Sequence, residues 1–451
     1  MATREFDAIV LGAGPAGEVA AGRLAQGGLE VAVVERELIG GECSFYACMP
    51  SKALLRPGEL LGEVRRVGGL VGGAIDPGAA LARRDEVIHG LDDSSMLPWL
   101  EDRGIALYRG AGRLDGVRRV RVGDEELRAR RAVIVATGTA ATLPPLKGLA
   151  DAEPWTNREG TTAGEAPASL IVLGGGPVGC ELAQAWRTLG AEVDLVELAD
   201  RVLVNEEPFA SEQVADGLRG HGVRVHLGAE PQRVERRDGT ATLVLPGEEL
   251  EAEQILVAAG RRPRTEDLGL ETVGLEPGGW IEVDDALRVP GRDWLYAIGD
   301  VNRRALLTHA GKYQARIAAD VILGKDVRAT ADLHGPPRVT FTDPEVAAVG
   351  LTLDAARERG IDARVVDVDT SGNAGSSFYG RGTEGTSRLV IDEGRGVIVG
   401  ATFVGFQTAE LLHAATVAIT AEVPLERLRH AIAPFPTRNE VWLYLLEKYG
   451  L

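Results

Sequence analysis

Two cysteines five residues apart, Cys43 and Cys48, are the residues of this chain whose type and spacing point most directly to chemistry. In a regular helix they would lie about 140° apart around the axis and roughly 7.5 Å apart along it, which does not suit a disulfide. The flanking residues favour a distorted backbone, because Gly40 and Gly41 allow close approach and Pro50 removes an N–H that a helix would use. The segment therefore predicts a redox-active dithiol, with two buried, unpaired thiols as the alternative.

The composition is that of a globular protein built from several domains. The chain has 451 residues, of which 45% are hydrophobic and 26% are charged, so roughly two to four domains are expected. The net charge of -18 opposes a nucleic-acid partner, since that partner needs clustered Lys and Arg. The chain has three cysteines, shows no signal peptide and has no apolar run of the roughly 18 residues that span a membrane. These features predict a cytoplasmic protein without a membrane partner.

A glycine-rich turn near the N-terminus has the pattern and the context of a dinucleotide site. The apolar strand pattern of residues 6–11 runs directly into the turn, and a helix pattern and a second strand closed by Glu35 follow. The turn contains Gly12, Gly14, Pro15, Ala16 and Gly17. In such a turn the glycines bend the chain, admit a pyrophosphate and let helix pack on strand, while the acid accepts from a ribose hydroxyl.

A second copy of this pattern begins at residue 170. Its glycines are Gly174, Gly176 and Gly179, and Glu197 closes the following strand 23 residues after the first glycine, the same spacing as in the first copy. Two nucleotide-binding units in one chain could hold two dinucleotides with electrons passing between them. Because a carboxylate at the position of Glu197 accepts from a free 2′-hydroxyl but repels a 2′-phosphate, NADH is expected to be preferred over NADPH.

Two later stretches complete the predicted organisation. Asp300 follows Gly299 at the end of an apolar strand pattern, so we expect its carboxylate at the carboxyl end of a strand, where open α/β sheets bind ligands. A surface turn is the alternative for this residue. From about Pro336 alternating strand and helix patterns without a glycine fingerprint indicate an α+β unit suited to association.

Taken together, these motifs resemble the pyridine nucleotide-disulfide oxidoreductases, the flavoprotein family of dihydrolipoamide dehydrogenase, glutathione reductase and mercuric reductase. The resemblance runs nearly end to end and includes the segments 136–138, 260–263, 296–300, 308–310 and 341–351. It implies an α/β fold with two Rossmann-like dinucleotide-binding domains, one for FAD and one for NAD, and a C-terminal α+β dimerisation domain. The implied division is 1–148 and 271–335 for FAD, 149–270 for NAD(P), and 336–451 for dimerisation.

The resemblance also assigns roles to individual residues. Cys48 would be the thiol beside the flavin that forms the charge-transfer complex, and Cys43 the thiol that exchanges with substrate. Lys52 and Glu181 match the family's ion pair near the flavin N5, where a cation stabilises the anionic reduced ring. Patterns and resemblance together give as cofactor-binding residues Gly12, Gly14, Pro15, Ala16, Gly17, Glu35, Gly41, Lys52, Thr137, Gly138, Gly174, Gly176, Gly179, Glu197, Gly260, Arg261, Gly299, Asp300, Thr308 and His309. No metal ligands are predicted.

The chain departs from the family pattern near its C-terminus. The family's run His-x-His-Pro-Thr-x-x-Glu provides an acid/base His held by the Glu, and here Glu440 matches that Glu while Phe435 occupies the position of the His. Phenylalanine cannot carry a proton, so exchange with small disulfides should slow by roughly 10² to 10⁴. Replacement bases are sought among Tyr46, His309, His413 and His430, each a weak candidate. The chain also has no cysteine after Cys180, unlike mercuric reductases, which carry a C-terminal cysteine pair.

Three hypotheses follow from this sequence. The first is a dihydrolipoamide dehydrogenase-like enzyme that passes electrons from NAD(P)H through FAD and the Cys43–Cys48 pair to a small-molecule or protein acceptor, in the service of redox homeostasis. The second sends electrons from the flavin directly to a quinone, metal ion or other oxidant, and Phe435 favours it because an apolar ring could face a planar acceptor. The third is a non-catalytic flavoprotein subunit, which the retained cysteines argue against. In each case we expect a homodimer.

Overall fold

The computed structural model describes residues 3–451 and shows a mixed α/β protein. The strands of this part of the chain are β1 (Arg4–Leu11), β2 (Val31–Glu35), β3 (Ala106–Arg109), β4 (Gly112–Leu114), β5 (Arg119–Val122), β6 (Glu125–Val135), β7 (Thr139–Ala141), β8 (Ser169–Leu173), β9 (Glu192–Val196), β10 (Arg224–His226), β11 (Arg233–Arg237), β12 (Thr240–Leu245), β13 (Glu248–Ala252), β14 (Gln254–Val257), β15 (Arg261–Pro263), β16 (Leu295–Ala297), β17 (Arg338–Thr340), β18 (Glu345–Gly350), β19 (Ala363–Asp369), β20 (Thr386–Asp392) and β21 (Val397–Gly405).

The α-helices alternate with these strands. They are α1 (Pro15–Gln26), α2 (Gly41–Phe45), α3 (Cys48–Arg66), α4 (Pro77–Val87), α5 (Leu97–Glu101), α6 (Asn157–Thr162), α7 (Pro177–Thr188), α8 (Pro208–Gly220), α9 (Thr308–Ile322), α10 (Leu353–Glu358), α11 (Leu412–Thr420), α12 (Leu425–Leu428) and α13 (Val441–Tyr449). Within residues 3–451, every helix is too short or too polar to cross a membrane.

Residues 3–50, 85–141 and 261–333 form one compact unit around a seven-stranded sheet. Its strand order is β3-β2-β1-β6-β5-β4, and β16 pairs in parallel with the end of β6. In the parallel part Val10 lies opposite Val33 on one side and Ile134 on the other, and all three are buried. Because both faces of a parallel sheet are covered, these strands are continuous apolar runs, and α1 packs on α9 over one face.

Residues 51–84, 142–260 and 334–451 form a second unit, which contains two kinds of sheet. A parallel sheet of order β10-β9-β8-β14 places Val172 opposite Leu195 and Leu256, the same arrangement as around β1. The strands β11, β12 and β13 form a separate antiparallel sheet. The C-terminal part has a five-stranded antiparallel sheet, β17-β18-β21-β20-β19, whose inner face packs with α11 and α13.

The cysteine segment is a helix interrupted between the two thiols. Cys43 lies in the short α2, whose helical backbone ends at Tyr46 (φ -134°), and Cys48 is the first residue of α3. Gly40 and Gly41 enter the segment with φ of 113° and 56°, in the left-handed region where glycine is favoured. The backbone between the two cysteines is therefore not a regular helix, as the sequence predicts.

Candidate active site

The first glycine-rich turn connects β1 to α1 and is tightly packed at two of its three glycines. A Cβ on Gly12 (φ 101°) would stand 2.5 Å from the carbonyl oxygen of Ala136, and a Cβ on Gly17 would stand 1.9 Å from that of Gly12. Real side chains do not approach that closely, so only glycine fits at both positions. The turn is thus held in shape by contacts within the protein itself.

The middle glycine of this turn is different, because a Cβ on Gly14 would meet no atom within 4 Å. Gly14 is the N-cap of α1 with ordinary extended backbone, and a Cβ on Gly41 would come within 2.9 Å of its Cα. A ligand can therefore reach the backbone of Gly14, as a dinucleotide pyrophosphate requires. The buried hydroxyl of Thr137 has no hydrogen-bond partner among residues 3–451, so it is a further polar group open to a cofactor.

Glu35 closes the site at the end of β2. Its carboxylate accepts the backbone N–H of Ala13 at 2.7 Å and that of Glu37 at 2.8 Å, and the residue is 9% exposed. These two hydrogen bonds fix the carboxylate at the edge of the glycine-rich turn. A carboxylate has further lone pairs, so the ribose interaction predicted from the sequence remains compatible with this geometry.

The second glycine-rich turn repeats this geometry between β8 and α7. A Cβ on Gly174 would stand 2.6 Å from the carbonyl oxygen of Ala258, and one on Gly179 would stand 1.8 Å from that of Gly174, whereas one on Gly176 would meet nothing within 4 Å. Glu197 accepts the backbone N–H of Gly175 and, at 2.8 Å, that of Ala199. The two turns therefore offer equivalent dinucleotide cradles, one in each unit.

The cysteine pair is assembled within the first unit. Cys43 and Cys48 are both half-buried. The Sγ of Cys48 shares a hydrogen bond of 3.3 Å with the hydroxyl of Thr308, the first residue of α9. Hydrogen bonding with Cys48 and burial together raise the pKa of the Cys43 thiol, while Thr308 and the charge of Lys312 oppose that rise. This direction means that Cys43 keeps its proton once Cys48 is ionised.

A polar network surrounds Asp300, just after β16. Its carboxylate accepts from the hydroxyl of Thr139 at 2.8 Å, and that hydroxyl accepts from Nε of Arg261 at 2.6 Å. Burial raises the pKa of Asp300, although Thr139 and Arg261 oppose the rise. Gly299 has a left-handed φ of 72°, which turns the chain after β16. Asp300 is therefore at the carboxyl end of a parallel strand, as predicted, and is held there by residues far away in sequence.

A buried ion pair lies in the second unit. The Nζ of Lys52 is 2.6 Å from one oxygen of Glu181, whose other oxygen accepts the backbone N–H of Phe341 at 2.9 Å. The ammonium also lies 4.6 Å from the centre of the Phe341 ring. The Lys52 side chain is 36% exposed and that of Glu181 is 6% exposed, so the carboxylate is buried and the ammonium has one open side. The ion pair predicted by resemblance is thus present.

Glu440 and Phe435 occupy the C-terminal positions where the family pattern has its Glu and its acid/base His. Glu440 is 8% exposed, and one of its carboxylate oxygens is buried with no hydrogen-bond partner within the described residues, whereas Phe435 is 77% exposed. His413 and His430, considered as replacement bases, are exposed residues of the same unit. His309, in the first unit, is exposed beside Thr308.

Three contributors to the site were not identified from the sequence. Thr139 holds Asp300, Arg264 donates to the carboxylate of Glu42 at 2.7 Å beside Cys43, and Lys312 acts on the thiol of Cys43. Glu42 could have been noticed as an acid next to a reactive thiol, but its partner is 222 positions away. No sequence signal marks Lys312. Among residues 3–451, no group of three or more His, Cys, Asp or Glu side chains is arranged to hold a metal ion.

Comparison with known proteins covers almost the whole chain. The family model described as pyridine nucleotide-disulphide oxidoreductase matches residues 6–315, and the model of the dimerisation domain of the same family matches residues 336–445. A dihydrolipoyl dehydrogenase of Thermus scotoductus is 35% identical over 97% of this chain and 96% of its own length. A mercuric reductase of Staphylococcus aureus is 30% identical over 97% of this chain and 81% of its own length.

Two solved structures share the fold over nearly their full length. The HOCl-induced flavoprotein disulfide reductase RclA from Escherichia coli has a TM-score of 0.87 and 26% identity, covering 98% of this chain and 99% of that one. LpdA from Mycobacterium tuberculosis has a TM-score of 0.88 and 26% identity, covering 99% of this chain and 100% of that one.

Proposed function

Because the chain belongs to the pyridine nucleotide-disulphide oxidoreductase family, whose members are FAD-dependent NAD(P)H oxidoreductases, we propose that Cys43 and Cys48 are its redox-active dithiol. FAD, when bound, supplies the two-electron exchange between the pyridine nucleotide and the cysteine pair. The observation that carries the proposal is the assembled pair, in which Cys43 is hydrogen-bonded to Cys48 and Cys48 to Thr308. We propose that Cys48 carries the negative charge of the reduced pair and Cys43 the proton, the division that suits an inner and an exchanging thiol.

The first unit supplies the residues proposed to hold FAD. Gly14 opens its backbone to the pyrophosphate, Glu35 stands at the ribose end, and Asp300 and Thr137 offer polar groups further along the cofactor. The proposed domain division is the one expected from the sequence, with 1–148 and 271–335 for FAD, 149–270 for the pyridine nucleotide and 336–451 for dimerisation.

The second unit supplies the residues proposed for the pyridine nucleotide. Gly176 opens the backbone in the same way as Gly14, and Glu197 closes the site with a fixed carboxylate. The nearby guanidinium of Arg201 donates to the carbonyl of Val204 at 2.8 Å, so it is engaged away from a 2′-phosphate. We therefore propose that NADH is preferred over NADPH, and equal kcat/KM values for the two would contradict this.

The Lys52–Glu181 pair is proposed to serve the reduced flavin. A cation with one open side can stabilise a developing negative charge, and a buried carboxylate held by a backbone N–H keeps that cation in one position. Glu181 thus acts through Lys52 and not on the cofactor directly.

The electron acceptor is proposed from the C-terminal departure. Phe435 cannot donate a proton to a leaving thiol, so acceptors that need no proton from the protein are favoured over lipoamide and glutathione disulfide. A second candidate function, direct transfer to a quinone, metal ion or other oxidant, is supported by the apolar ring of Phe435, which could face a planar acceptor. Both candidate functions are compatible with the relatives, since one is named dihydrolipoyl dehydrogenase and another mercuric reductase.

A homodimer is proposed for the working enzyme. The dimerisation-domain match is one support, and the C-terminal part of the second unit exposes large apolar side chains that a partner could cover. Ile432 is 93% exposed, Phe435 77% and Phe378 67%. A cytoplasmic location is proposed from the low cysteine content, three cysteines in 451 residues.

Thiol counting tests the dithiol proposal. The oxidised holoenzyme is reduced anaerobically with NADH and divided into two portions. The thiols of one portion are counted under denaturing conditions. The other portion, still folded, is mixed with lipoamide, glutathione disulfide, a quinone or a metal salt. We expect two additional thiols after reduction, and no gain in Cys43→Ser or Cys48→Ser. Reduction of the flavin without any gain of thiols would contradict the proposal, and rapid reoxidation by lipoamide would contradict the weight given to Phe435.

A further inference from the structure

Lys312 carries a positive charge that acts on the Cys43 thiol and has no part in the proposed function so far. It lies four residues after Thr308 in α9, and residues at that spacing share one face of a helix. Thr308 contacts Cys48, and the ammonium of Lys312 lowers the pKa of Cys43 against the larger effects that raise it. Lys312 is half-buried and makes no ion pair among residues 3–451, so its charge is not neutralised by a neighbouring carboxylate in contact.

Glu18 is a half-buried acid whose pKa the same ammonium lowers. It lies in the first turn of α1, which packs on α9, and the Cβ of Ala16 is 3.4 Å from where a Cβ on Gly311 would stand. One carboxylate oxygen of Glu18 is buried and has no hydrogen-bond partner in the part of the chain that the structure describes. Burial raises the pKa of Glu18 to about 7, while Lys312 lowers it and the charge of Glu35 raises it.

We propose that Lys312 stabilises the thiolate of Cys43 when the dithiol reacts with an acceptor, and that Glu18 sets how much of this charge is available. The inference rests on the proposed function, because it assumes that Cys43 is the exchanging thiol. Lys312 then acts as a fixed positive charge and not as a proton acceptor, because the proton of Cys43 leaves to water. The groups that shift the pKa of Cys43 are Cys48, Thr308 and Lys312, and the charges that shift the pKa of Glu18 are those of Lys312 and Glu35.

The consequence for a disulfide acceptor follows from the steps of exchange. The Cys43 thiolate bonds to one acceptor sulfur as the acceptor's S–S bond breaks, and Cys48 then displaces that sulfur to close the Cys43–Cys48 disulfide. Two electrons pass to the acceptor, and its two leaving thiolates take protons from water. Lys312 assists the attack but not the departure, so acceptors with acidic leaving thiols should react faster than aliphatic disulfides.

Alkylation kinetics test the role of Lys312. The holoenzyme is reduced anaerobically with NADH and treated with iodoacetamide, and modification of Cys43 is followed by tandem mass spectrometry. In Lys312→Met the rate at pH 7.5 should fall about tenfold, the effect of a one-unit rise in thiol pKa. Lys312→Arg, which keeps the charge, should stay within about twofold of wild type. Lys325 lies beyond the end of α9 and forms an ion pair with Asp320, so Lys325→Met should have no effect on this rate.

The Glu18 part has its own readout. In Glu18→Gln, the rate of Cys43 alkylation should equal that of wild type at pH 6, where the acid is protonated. At pH 8.5 the rate should be about threefold higher than in wild type, because ionised Glu18 would otherwise offset the charge of Lys312. Coincident pH profiles would overturn the role of Glu18, and a wild-type rate in Lys312→Met with full FAD content would overturn that of Lys312. If Lys312→Met does not fold, a Lys312→Arg rate more than tenfold below wild type would likewise overturn it. If NADH produces no reactive thiols in the wild type, the proposed function itself fails.

Discussion

Replacing Gly176 with alanine should separate nucleotide binding from folding in the second glycine-rich turn. The backbone at Gly176 is extended (φ -73°, ψ 179°), which alanine adopts freely, and its Cβ would meet no atom within 4 Å. Lower entropy of the unfolded chain stabilises the variant by about 0.4–1 kcal/mol, and the poorer N-cap costs a similar amount. The two terms nearly cancel, so the Tm should stay within about 4 °C of wild type.

The binding of NADH should change much more than the Tm. The new methyl group would stand where the pyrophosphate approaches the backbone, and inserting a methyl into a close contact costs about 1–3 kcal/mol, or roughly 5- to 150-fold in Kd. FAD content should not change in Gly176→Ala, whereas Gly14→Ala should lose FAD. Thermal denaturation, flavin absorbance and NADH titration measure the three effects.

The matched control is Gly179→Ala, whose Cβ would stand 1.8 Å from a carbonyl oxygen and which should destabilise the unit itself. The reasoning would be refuted by Gly176→Ala binding NADH as tightly as wild type, or by its Tm falling as far as that of Gly179→Ala.

Three further predictions concern charges and the C-terminal departure. Lys52→Met should cost about 3–5 kcal/mol because it leaves the buried Glu181 carboxylate unpaired, whereas Glu181→Gln should cost only about 1–2 kcal/mol because the half-exposed ammonium can be hydrated. Denaturant unfolding compares them, and equal costs would contradict the asymmetry. Burial raises the pKa of Glu345 from 4.5 to about 7, so ionisation reduces stability as the pH rises through that range. Glu345→Gln should therefore increase the free energy of unfolding at pH 8 by at most about 3 kcal/mol, with a higher Tm, and leave both unchanged near pH 4. A similar gain in Tm at both pH values would show another cause. Phe435→His should raise lipoamide turnover by about 10² while leaving stability within about 0.5 kcal/mol of wild type, and unchanged turnover with reactive thiols would show that the base is not what limits exchange.

Both glycine-rich turns could be predicted from the sequence because their physics is local. Gly12 and Gly174 adopt positive φ, and the apolar runs that precede them pair in parallel on both sides. The interruption between Cys43 and Cys48 could also be predicted, since glycine before the pair and proline after it act within a few residues.

Features that depend on partners distant in sequence could not be predicted. The strands β11 and β13 are rich in Arg and Glu and pair with β12 to form a small antiparallel sheet, so no apolar run marks them. The effect of Lys312 on Glu18 follows from the packing of α1 on α9, and the Arg264–Glu42 pair from folding of the first unit. Residue types alone therefore indicated the chemistry but not the charges that tune it.

The most direct test of the dithiol next to a flavin is the visible spectrum of the anaerobic holoenzyme during reduction by NADH. A long-wavelength thiolate-to-flavin charge-transfer band should appear in the wild type and in Cys43→Ser, and should be absent from Cys48→Ser. A band that persists in Cys48→Ser, or a wild-type enzyme that reduces without one, would contradict the assignment of Cys48 as the thiolate of the pair.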